Sequence, residues 1–541
     1  MKLKKVLCGI LALSLSATMM VGCGKKNGGS GDSGYEMKME AGEGSKITKD
    51  VFEPTLLLTG YDYDKMHVFQ EAFKYTNVKP KAYIAVTADA TQAFDTMLTS
   101  DTGMADIAVS TIAKINTAGP EGAFIPLDAL IDQYAPNIKA YFEEFPQYKA
   151  ACLAADGKLY VIPTTYDTIA SEGFFIRQDW LDKLGLSVPT TVDEYHEVLK
   201  AFKTKDPNGN GKADEIPFFQ RGKSWQPLLQ LWGAYARNYV DSDNKVHNGK
   251  LENEFKTAME NIIQWNKEGL IDPEISTRNS AREELLGNNV GGSTHDWFSS
   301  TGSFTKTVRE SHVGEAWAEK FDFAPIAPPA DINGEVKETY SRPKVRGSGW
   351  GITVSNQYVV ESIKYMDWWF TEQGKLTYWY GMEGTDYVKD ANGEVKFTDL
   401  VLNSKNGVPM YMRDNGQLEQ GAPMSMKAEM AGMTEGAKKG FAMYESEIKI
   451  IPQFPTFTYT VDERSEMSTL QAAVDTYIDE TIAKWYAGDA KLDDASWNAY
   501  VSKANELGAK RILEIQQQAY DRFVSNGGGV DDVKDNVTSK N

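Results

Sequence analysis

The chain has 541 residues, and its 57 Lys and Arg against 76 Asp and Glu give a formal net charge of −19. The apolar share of 41% and aromatic share of 11% are too high for a disordered chain, and the length suffices for two or more compact units. The acidic balance excludes a general nucleic-acid binder, which needs a basic face, so no nucleic-acid partner is expected.

The N-terminus has the pattern of an export signal. Its basic start, Met1–Lys5, precedes an uncharged and mostly apolar run that ends in Met20-Val21-Gly22-Cys23. This ending resembles the lipobox of bacterial lipoproteins, in which the Cys takes a lipid before cleavage. By this resemblance residues 1–22 are a signal peptide, and Cys23 carries a lipid anchor with palmitate-type acyl chains. The protein is then expected at the extracellular face of a Gram-positive type cell membrane. The alternative is a transmembrane anchor that stays attached.

The segments that flank the body are polar. Residues 23–48 are rich in Gly, Ser and charge, which predicts a flexible tether after the lipidated Cys. Residues 49–525 form the body, and residues 526–541 are predicted to be a disordered tail. The cysteines are Cys8, Cys23 and Cys152, so only Cys152 remains in a processed and lipidated chain, and no internal disulfide is expected.

The body begins with an alternation of strands and helices. The run Pro54–Thr59, closed by Gly60, predicts a buried strand, and helical spacing follows around Val68–Phe73. Tyr83–Val86 and Ala105–Val109 predict further strands, with a helix from Thr91 to Leu98 between them. Short apolar strands that alternate with helices predict an α/β fold with a largely parallel sheet.

The predicted secondary structure changes twice in the rest of the body. Around Asp156–Pro163 the pattern is a tight turn followed by a β run. The last 70 or so residues are helical, with one apolar stripe from Leu470 to Trp485. Gly488 should end that helix, and further helices are predicted over Trp497–Leu507 and Ile512–Phe523.

One loop, residues 206–215, has the ligand spacing of an EF-hand calcium loop. Oxygen side chains fall at positions 1, 3, 5 and 9, with Gly at position 6 and a backbone carbonyl at position 7. Position 12 is Pro217, so the usual bidentate Glu is missing and Glu215 is the candidate substitute. We expect structural Ca²⁺ here. The alternative is an Asn-Gly turn that needs no ion.

Catalytic motifs are missing from the sequence, and aromatic residues indicate a sugar ligand. The five histidines show no metal-ligand spacing, and no HExxH, GxSxG or Walker loop occurs, so no enzyme activity is expected. Sugars stack their C–H faces on aromatic rings and need polar partners for their hydroxyls. Trp297 is the first choice, because Gly291 and Gly292 allow a sharp turn nearby and Asp296 could take two hydroxyls. The candidate ligand-binding set is Trp297, Asp296, Trp350, Trp225, Trp232, Tyr166, Asp167, Trp379 and Glu383.

Taken together, these features resemble a bacterial extracellular solute-binding protein of family 1, a lipid-anchored receptor of a carbohydrate ABC importer. The large branch that binds alginate and other oligosaccharides is the most similar. The resemblance covers nearly all the chain after the tether. It is carried by Phe94–Leu98, Ala105–Ile107, Phe124–Asp128, Asp156–Pro163, Arg177–Gly185 and Pro189–Thr191. It also implies the calcium ligands, namely Asp206, Asn208, Asn210, the carbonyl of Lys212, Asp214 and Glu215.

The resemblance implies a type II periplasmic-binding-protein-like fold of two discontinuous α/β lobes, with a hinge and an interlobe cleft. Chain crossings are expected near residues 165 and 340. The protein would act as a monomer that closes around a sugar or oligosaccharide and delivers it to ABC transporter permease subunits. The alternatives are a cell-surface lyase or hydrolase and a peptide-binding receptor of the same fold. The net charge disfavours a strongly anionic ligand, although Arg177, Arg342, Lys344 and Arg346 could build a positive cleft.

Overall fold

The computed structural model describes residues 46–48, 51–57, 62–83, 89–100, 103–405, 407–418 and 420–529. The predicted signal peptide 1–22, the lipidation site Cys23, most of the tether and the tail beyond residue 529 lie outside the described residues. No helix among the described residues has the length and apolar character that a membrane span requires.

A six-stranded sheet forms the centre of the first lobe. Thr55–Leu57 runs parallel to both of its neighbours, whereas Val345–Ile352 is antiparallel to the strands on either side. The predicted largely parallel sheet is therefore wrong in part, since the sheet is mixed. In spatial order the strands are Pro423–Met424, Ile162–Tyr166, Val345–Ile352, Ile107–Thr111, Thr55–Leu57 and Lys81–Ala82.

A four-stranded sheet forms the centre of the second lobe. Glu172–Arg177 is antiparallel to both neighbours, and Trp297 pairs with Glu172 at the end of the strand Gly291–Trp297. Both faces are covered: Phe174 and Ile176 lie in one apolar core and Phe175 in another. In spatial order the strands are Phe323–Ile326, Glu172–Arg177, Gly291–Trp297 and Ile216–Phe218.

The chain passes between the two sheets more than once. It leaves the six-stranded sheet after Tyr166 and enters the four-stranded sheet at Glu172. It leaves that sheet after Ile326 and returns to the first with Val345. After Met424 it passes over again, because the helix Glu435–Glu447 packs Phe441 and Tyr444 into the core of the second lobe. Each lobe is thus assembled from segments that are distant in the chain.

Helices surround both sheets. The three C-terminal helices agree with the prediction. In the first of them the apolar residues Val474, Ile478 and Trp485 are buried. Gly488 ends that helix in the left-handed region, at φ 81°. The α-helices are His67–Thr76, Ala90–Leu98, Ile112–Ala118, Asp128–Tyr134, Pro136–Glu144, Pro146–Cys152, Gln178–Leu184, Val192–Thr204, Asn253–Lys267, Ala281–Gly287, Phe298–Thr301, Phe304–Ser311, Ala316–Lys320, Val359–Trp368, Glu372–Tyr380, Asp399–Leu402, Val408–Asp414, Met426–Ala431, Glu435–Glu447, Val461–Ala487, Asp494–Leu507 and Ala509–Ser525.

Short elements complete the body. The last residues of the predicted tether, Lys46–Thr48, pair with Val51–Glu53, because Ile47 and Thr48 suit a strand better than a flexible linker. Other two-stranded pairs are Asn238–Val240 with Val246–Asn248, Tyr387–Lys389 with Val395–Phe397, and Lys337–Glu338 with Lys449–Ile450. The 3₁₀ helices are Tyr63–Lys65, Gln226–Trp232 and Gly249–Leu251.

Candidate functional site

A cavity of about 380 Å³ opens at one edge of the six-stranded sheet. It lies where Thr55–Leu57 and Ile107–Thr111 end, at the carboxyl edge of two parallel strands. This edge is the usual ligand site of open α/β sheets. Its lining is Leu57, Ala90, Thr91, Val109, Ser110, Thr111, Lys114, Arg346, Ser348, Tyr378, Arg413, Gln417, Leu418 and Met424.

The described wall of this cavity carries positive charge. Lys114, Arg346 and Arg413 belong to it, and none of its described residues is Asp or Glu. Arg346 is exposed, and its Nη1 donates to the hydroxyl of Tyr166 at 3.2 Å. This contact joins the cavity to the point where the chain leaves the first lobe.

One guanidinium group lies against an aromatic ring from each lobe. Arg342 belongs to the connection between the two sheets, and its Cζ is 4.7 Å from the ring centroid of Tyr166. The same Cζ is 5.9 Å from the ring centroid of Trp297, within the range of cation–π attraction. Tyr166 ends a strand of the first lobe, and Trp297 ends a strand of the second. We call Tyr166, Trp297 and Arg342 the interlobe cluster.

Arg342 is held by two hydrogen bonds. It is buried, its Nη1 donates to Glu429 Oε2 at 2.8 Å, and its Nε donates to the carbonyl oxygen of Ala170 at 3.2 Å. Burial by itself lowers the pKa of Arg342, but the Glu429 carboxylate outweighs it and the net pKa is raised. Arg342 therefore keeps its charge between the rings.

Asp296 fixes the backbone next to Trp297. Its carboxylate accepts the Trp297 N–H at 2.8 Å and pairs with Arg221, whose Nη2 lies 2.7 Å from Oδ1. Arg282 Nη1 is 3.6 Å from the other oxygen. Asp296 is only 1% exposed, so its oxygens are committed to these partners rather than to a ligand. It acts on the site by positioning Trp297.

A buried ion pair links the second lobe to the connecting segment. His295 Nε2 lies 3.0 Å from Glu338 Oε2, and His295 Nδ1 lies 3.8 Å from Glu172 Oε2. Burial lowers the pKa of His295, but the attraction of Glu338 and Glu172 reverses this effect and the net pKa is raised.

Three predicted ligand residues are core residues instead, which corrects the expectation that they face a cleft. Trp350 is 0% exposed, because Gly349 and Gly351 beside it let neighbouring strands approach closely: a Cβ at Gly349 would lie 2.3 Å from the Ile162 oxygen. Trp225 stacks on Tyr486. Trp232 is buried against Trp265.

Of the remaining candidate ligand residues, one lies beside the interlobe cluster and two lie away from it. Asp167 is exposed beside the interlobe cluster, and its Oδ1 accepts the Met426 N–H at 2.8 Å. Trp379 is half-buried and donates its Nε1–H to the Pro423 oxygen, packed on a separate small apolar core. Glu383 is exposed and accepts a hydrogen bond from Tyr387, also outside the cavity lining. The structure thus brings Tyr166, Asp167 and Trp297 together and leaves Trp379 and Glu383 apart.

The positively charged residues suggested by the sequence also fall into two groups, one at the candidate site and one buried. Arg342 and Arg346 lie at the interlobe cluster and the cavity. Lys344 is buried, and its carbonyl oxygen accepts the Tyr166 N–H at 2.7 Å. Arg177 is 1% exposed between Trp180 and Phe321, inside the second lobe, so it cannot contribute to a cleft.

The predicted calcium loop connects the helix Val192–Thr204 to the strand Ile216–Phe218. Asp206 accepts the N–H groups of Gly209, Asn210 and Gly211 at 2.9 to 3.1 Å. The side-chain amides of Asn208 and Asn210 both donate to Asp214 at 3.1 Å. Lys212 donates its N–H to Asn210 Oδ1. The oxygen-bearing side chains therefore converge on the inside of one loop.

Glu215 is the exceptional residue of this loop. It is 0% exposed, and among the described residues neither of its carboxylate oxygens has a hydrogen-bond partner. Burial raises the pKa of Glu215, and the carboxylates of Asp214 and Asp206 raise it further. A buried carboxylate without donors is costly unless a cation accompanies it. In the described part of the chain, no group of three or more His, Cys, Asp or Glu is arranged for a metal. Amide and backbone oxygens would have to complete the ligand set.

The cavity residues Lys114, Arg413, Tyr378 and Gln417 were not singled out by the sequence pattern. For Ser110 and Thr111 a signal was present, because they directly follow the predicted strand Ala105–Val109 and strand carboxyl ends carry ligands in α/β sheets. Arg413 and Gln417 come from a segment about 300 residues further along the chain, which no local pattern could connect to that strand.

Comparison with known proteins identifies related chains. Residues 66–390, more than half the chain, match the family model described as bacterial extracellular solute-binding protein. The fructooligosaccharide ABC transporter substrate-binding protein FusA of Streptococcus pneumoniae serotype 4 is 26% identical over 445 residues, which are 75% of this chain and 77% of FusA.

Solved structures agree with this match. The alginate-binding protein AlgQ2, in a crystal structure without calcium ion, is 35% identical with a TM-score of 0.74. The alignment covers 87% of this chain and 98% of AlgQ2. An EF-hand mutant of Streptococcus pneumoniae FusA in complex with fructo-nystose is 21% identical and has a TM-score of 0.68, over 88% of this chain and 100% of that one, so it supports the fold alone. The two-lobed fold predicted from sequence is therefore confirmed.

Proposed function

Since the chain belongs to the bacterial extracellular solute-binding proteins, we propose that it is the substrate-binding component of a carbohydrate ABC importer and captures an oligosaccharide without altering it. FusA and AlgQ2, which this chain resembles over most of its length, bind fructooligosaccharide and alginate respectively. The observation that carries the proposal is the interlobe cluster, in which Arg342 lies against a ring from each lobe.

The ligand would occupy the space from the cavity to the interlobe cluster. The rings of Tyr166 and Trp297 offer apolar faces for sugar C–H groups. Ser110, Thr111 and Gln417 offer hydroxyl and amide groups for sugar hydroxyls. This combination of stacking faces and hydrogen-bonding side chains suits a saccharide of more than one unit.

Capture would proceed by hinge closure. The crossing segments are residues 167–171, 327–344 and 425–434, and the two sheets can rotate about them without losing their own hydrogen bonds. A ligand that contacts both lobes stabilises the closed form only by its extra contacts there. We place the hinge of the lobes at these segments.

Delivery would take place at a membrane surface. The lipobox-like sequence at Cys23 supports a lipid anchor on the extracellular face, and residues 24–45 would let the monomeric body reach its permease subunits. The closed, liganded form would be the one that docks.

We further propose that the loop 206–215 binds a structural Ca²⁺. Asp206, Asn208, Asn210, Asp214 and Glu215, with the carbonyl of Lys212, provide the hard oxygen atoms that this ion prefers. The unpartnered carboxylate of Glu215 is the observation that supports the proposal. The ion would supply the charge that this buried group lacks and would hold the end of Val192–Thr204 against the second-lobe sheet.

The test is calorimetric titration of the purified protein with a panel of oligosaccharides, followed by chromatography of the recovered sugar. We expect saturable binding to at least one member and recovery of that sugar intact. New reducing ends or unsaturated products would instead establish a hydrolase or lyase. A panel without any binding would contradict the carbohydrate assignment.

A further inference from the structure

We propose that Glu172, Arg237 and Tyr340 form a sugar-binding site of the second lobe beside Trp297, which we call the second-lobe subsite. The inference rests on the proposed function, in which the ligand has to contact both lobes to favour the closed form. The cavity lining belongs to the first lobe alone. The second lobe therefore has to supply hydrogen-bonding groups of its own.

Glu172 and Trp297 are neighbours on one face of the second-lobe sheet. They are paired residues of adjacent antiparallel strands, so their side chains lie on the same side of the sheet. The Glu172 side chain is 16% exposed, and none of the described residues donates a hydrogen bond to its carboxylate. His295 Nδ1 is 3.8 Å from Oε2, too far for a hydrogen bond. An open carboxylate beside an aromatic ring combines the polar and apolar contacts that a sugar needs.

Arg237 and Tyr340 bring hydrogen-bond donors to the same place. The Tyr340 ring centroid is 5.1 Å from that of His295, and its hydroxyl makes no hydrogen bond to the described part of the chain. Arg237 donates Nη2–H to the Pro452 oxygen at 3.4 Å, whereas its buried Nε has no partner among the described residues. Burial lowers the pKa of Arg237, and the nearby Tyr340 and Glu172 oppose this shift in part. The acceptor and both donors are therefore close to one another.

The buried His295 leaves this arrangement incomplete. Its Nε2 lies 3.0 Å from Glu338 Oε2, and its Nδ1, on the Glu172 side, has no hydrogen-bond partner among the described residues. Burial raises the pKa of Glu172, and the charge of His295 counters that shift only in part. Buried polar groups without partners cost stability. A ligand that pairs with them on closure recovers that cost.

A sugar hydroxyl matches these groups because it both donates and accepts hydrogen bonds. One hydroxyl can donate to Glu172 while its neighbours accept from Arg237 and Tyr340, with the sugar ring stacked on Trp297. A carboxylate at this position would be repelled by Glu172 and by the nearby Glu338. The sugar unit that binds at Trp297 is therefore uncharged and is held through its hydroxyls.

The experiment removes the acceptor and measures affinity and stability together. Calorimetric titration of the full chain uses kestose, stachyose and β-1,4-linked mannotriose as probes. Glu172→Gln should weaken every probe that the natural chain binds by about 10-fold or more, the effect of one charge-assisted hydrogen bond. Its midpoint of urea unfolding should stay the same or rise, because the carboxylate has no hydrogen bond to lose. Glu480→Gln, at an exposed helix position, is the control and should change neither quantity.

Tyr340→Phe tests the donor side of the subsite. It keeps the ring against His295 and removes only the hydroxyl. It should weaken the same probes by about 5-fold, as expected for a neutral hydrogen bond, and leave the midpoint of unfolding unchanged.

The outcomes separate the second-lobe subsite from the proposed function. A probe that binds the natural chain and Glu172→Gln equally well overturns the subsite but leaves a saccharide receptor. Lower stability of Glu172→Gln with unchanged affinity also overturns it, because Glu172 would then serve only as a structural partner of His295. If the natural chain binds neither these probes nor the wider oligosaccharide panel, both proposals are overturned.

Discussion

Glu215 shows how one residue can carry opposite effects on stability. Its carboxylate is buried and finds no hydrogen-bond partner in the part of the chain that the structure describes, so without a cation it costs stability. With Ca²⁺ in the loop the same carboxylate would be a ligand. A residue that only filled a turn would not show this reversal.

We therefore predict that Glu215→Gln raises the stability of the calcium-free protein by about 1 kcal/mol or more and abolishes stabilisation by Ca²⁺. The natural chain should gain about 2.7 kcal/mol at a Ca²⁺ concentration 100 times its dissociation constant. Thermal unfolding with a chelator and with excess Ca²⁺ measures both effects. Glu283→Gln, at an exposed helix position, is the control and should change neither. Stability that is indifferent to Ca²⁺ in the natural chain would mean that the loop is only a turn.

The tryptophans divide into a ligand residue and core residues. We predict that Trp297→Ala weakens saccharide binding by about 10-fold while it changes unfolding free energy by about 1 kcal/mol or less, since the side chain is half-buried. Trp350→Ala should cost about 3–5 kcal/mol of stability, because it empties a fully buried site. Urea unfolding and calorimetric titration of both variants check this. Unchanged binding in Trp297→Ala would remove it from the site.

At the level of elements, the C-terminal helices were predictable because their signals are local. The apolar stripe that includes Val474, Ile478 and Trp485 is at helical spacing, and Gly488 follows it. The strand directions were not predictable. Val345–Ile352 enters its sheet from the other lobe, and a local apolar run does not encode its direction. Trp350 was wrongly predicted as a ligand residue for a related reason. The glycines beside it suggested a loop, but in the structure they allow a neighbouring strand to approach closely.

The helix stop gives a prediction of its own. Gly488→Ala should destabilise the protein by about 1 kcal/mol, because φ there is 81°, in the left-handed region that a Cβ disfavours. Gly287→Ala is the matched control. That glycine ends the helix Ala281–Gly287 with open space around its Cβ direction, so the change should be neutral or slightly stabilising. Equal effects of the two substitutions in chemical unfolding would contradict the capping role.

The whole molecule is joined across its connecting segment by the His295 and Glu338 pair. Burial lowers the pKa of His295, but the carboxylates of Glu338 and Glu172 raise it by more, so the net pKa is raised. A histidine whose folded pKa exceeds its unfolded value of about 6.5 contributes stability that is complete below that value. This contribution is lost as pH rises through the folded pKa. The charged groups that act on His295 are Glu338, Glu172 and Asp296. Arg221 and Arg237 act in turn on these carboxylates.

We predict that the stability difference between the natural chain and His295→Gln shrinks as pH rises from 5.5 to 9. Urea unfolding across that range measures it, and Lys306→Met on an exposed helix controls for general charge effects. A difference that stays constant across the range would mean that His295 does not titrate there.

At this scale the sequence indicated the class of molecule but only part of the site. The order of weak motifs and the lipobox-like start pointed to the family, which the match over residues 66–390 shows. Tyr166, Asp167 and Trp297, which the sequence suggested as ligand residues, lie together in the structure, whereas Arg413 and Tyr378 reach the cavity only through tertiary packing. Composition placed the excess negative charge on the chain as a whole, and the folded structure separates it from a basic cavity.

We propose that the two lobes close around an oligosaccharide. Small-angle X-ray scattering of the purified protein, with and without a saccharide that binds in calorimetry, tests it most directly. We predict a smaller radius of gyration in the bound state. At a sugar concentration below the dissociation constant of Trp297→Ala, that variant should show no such change. A bound state with the radius of gyration of the free protein would contradict closure.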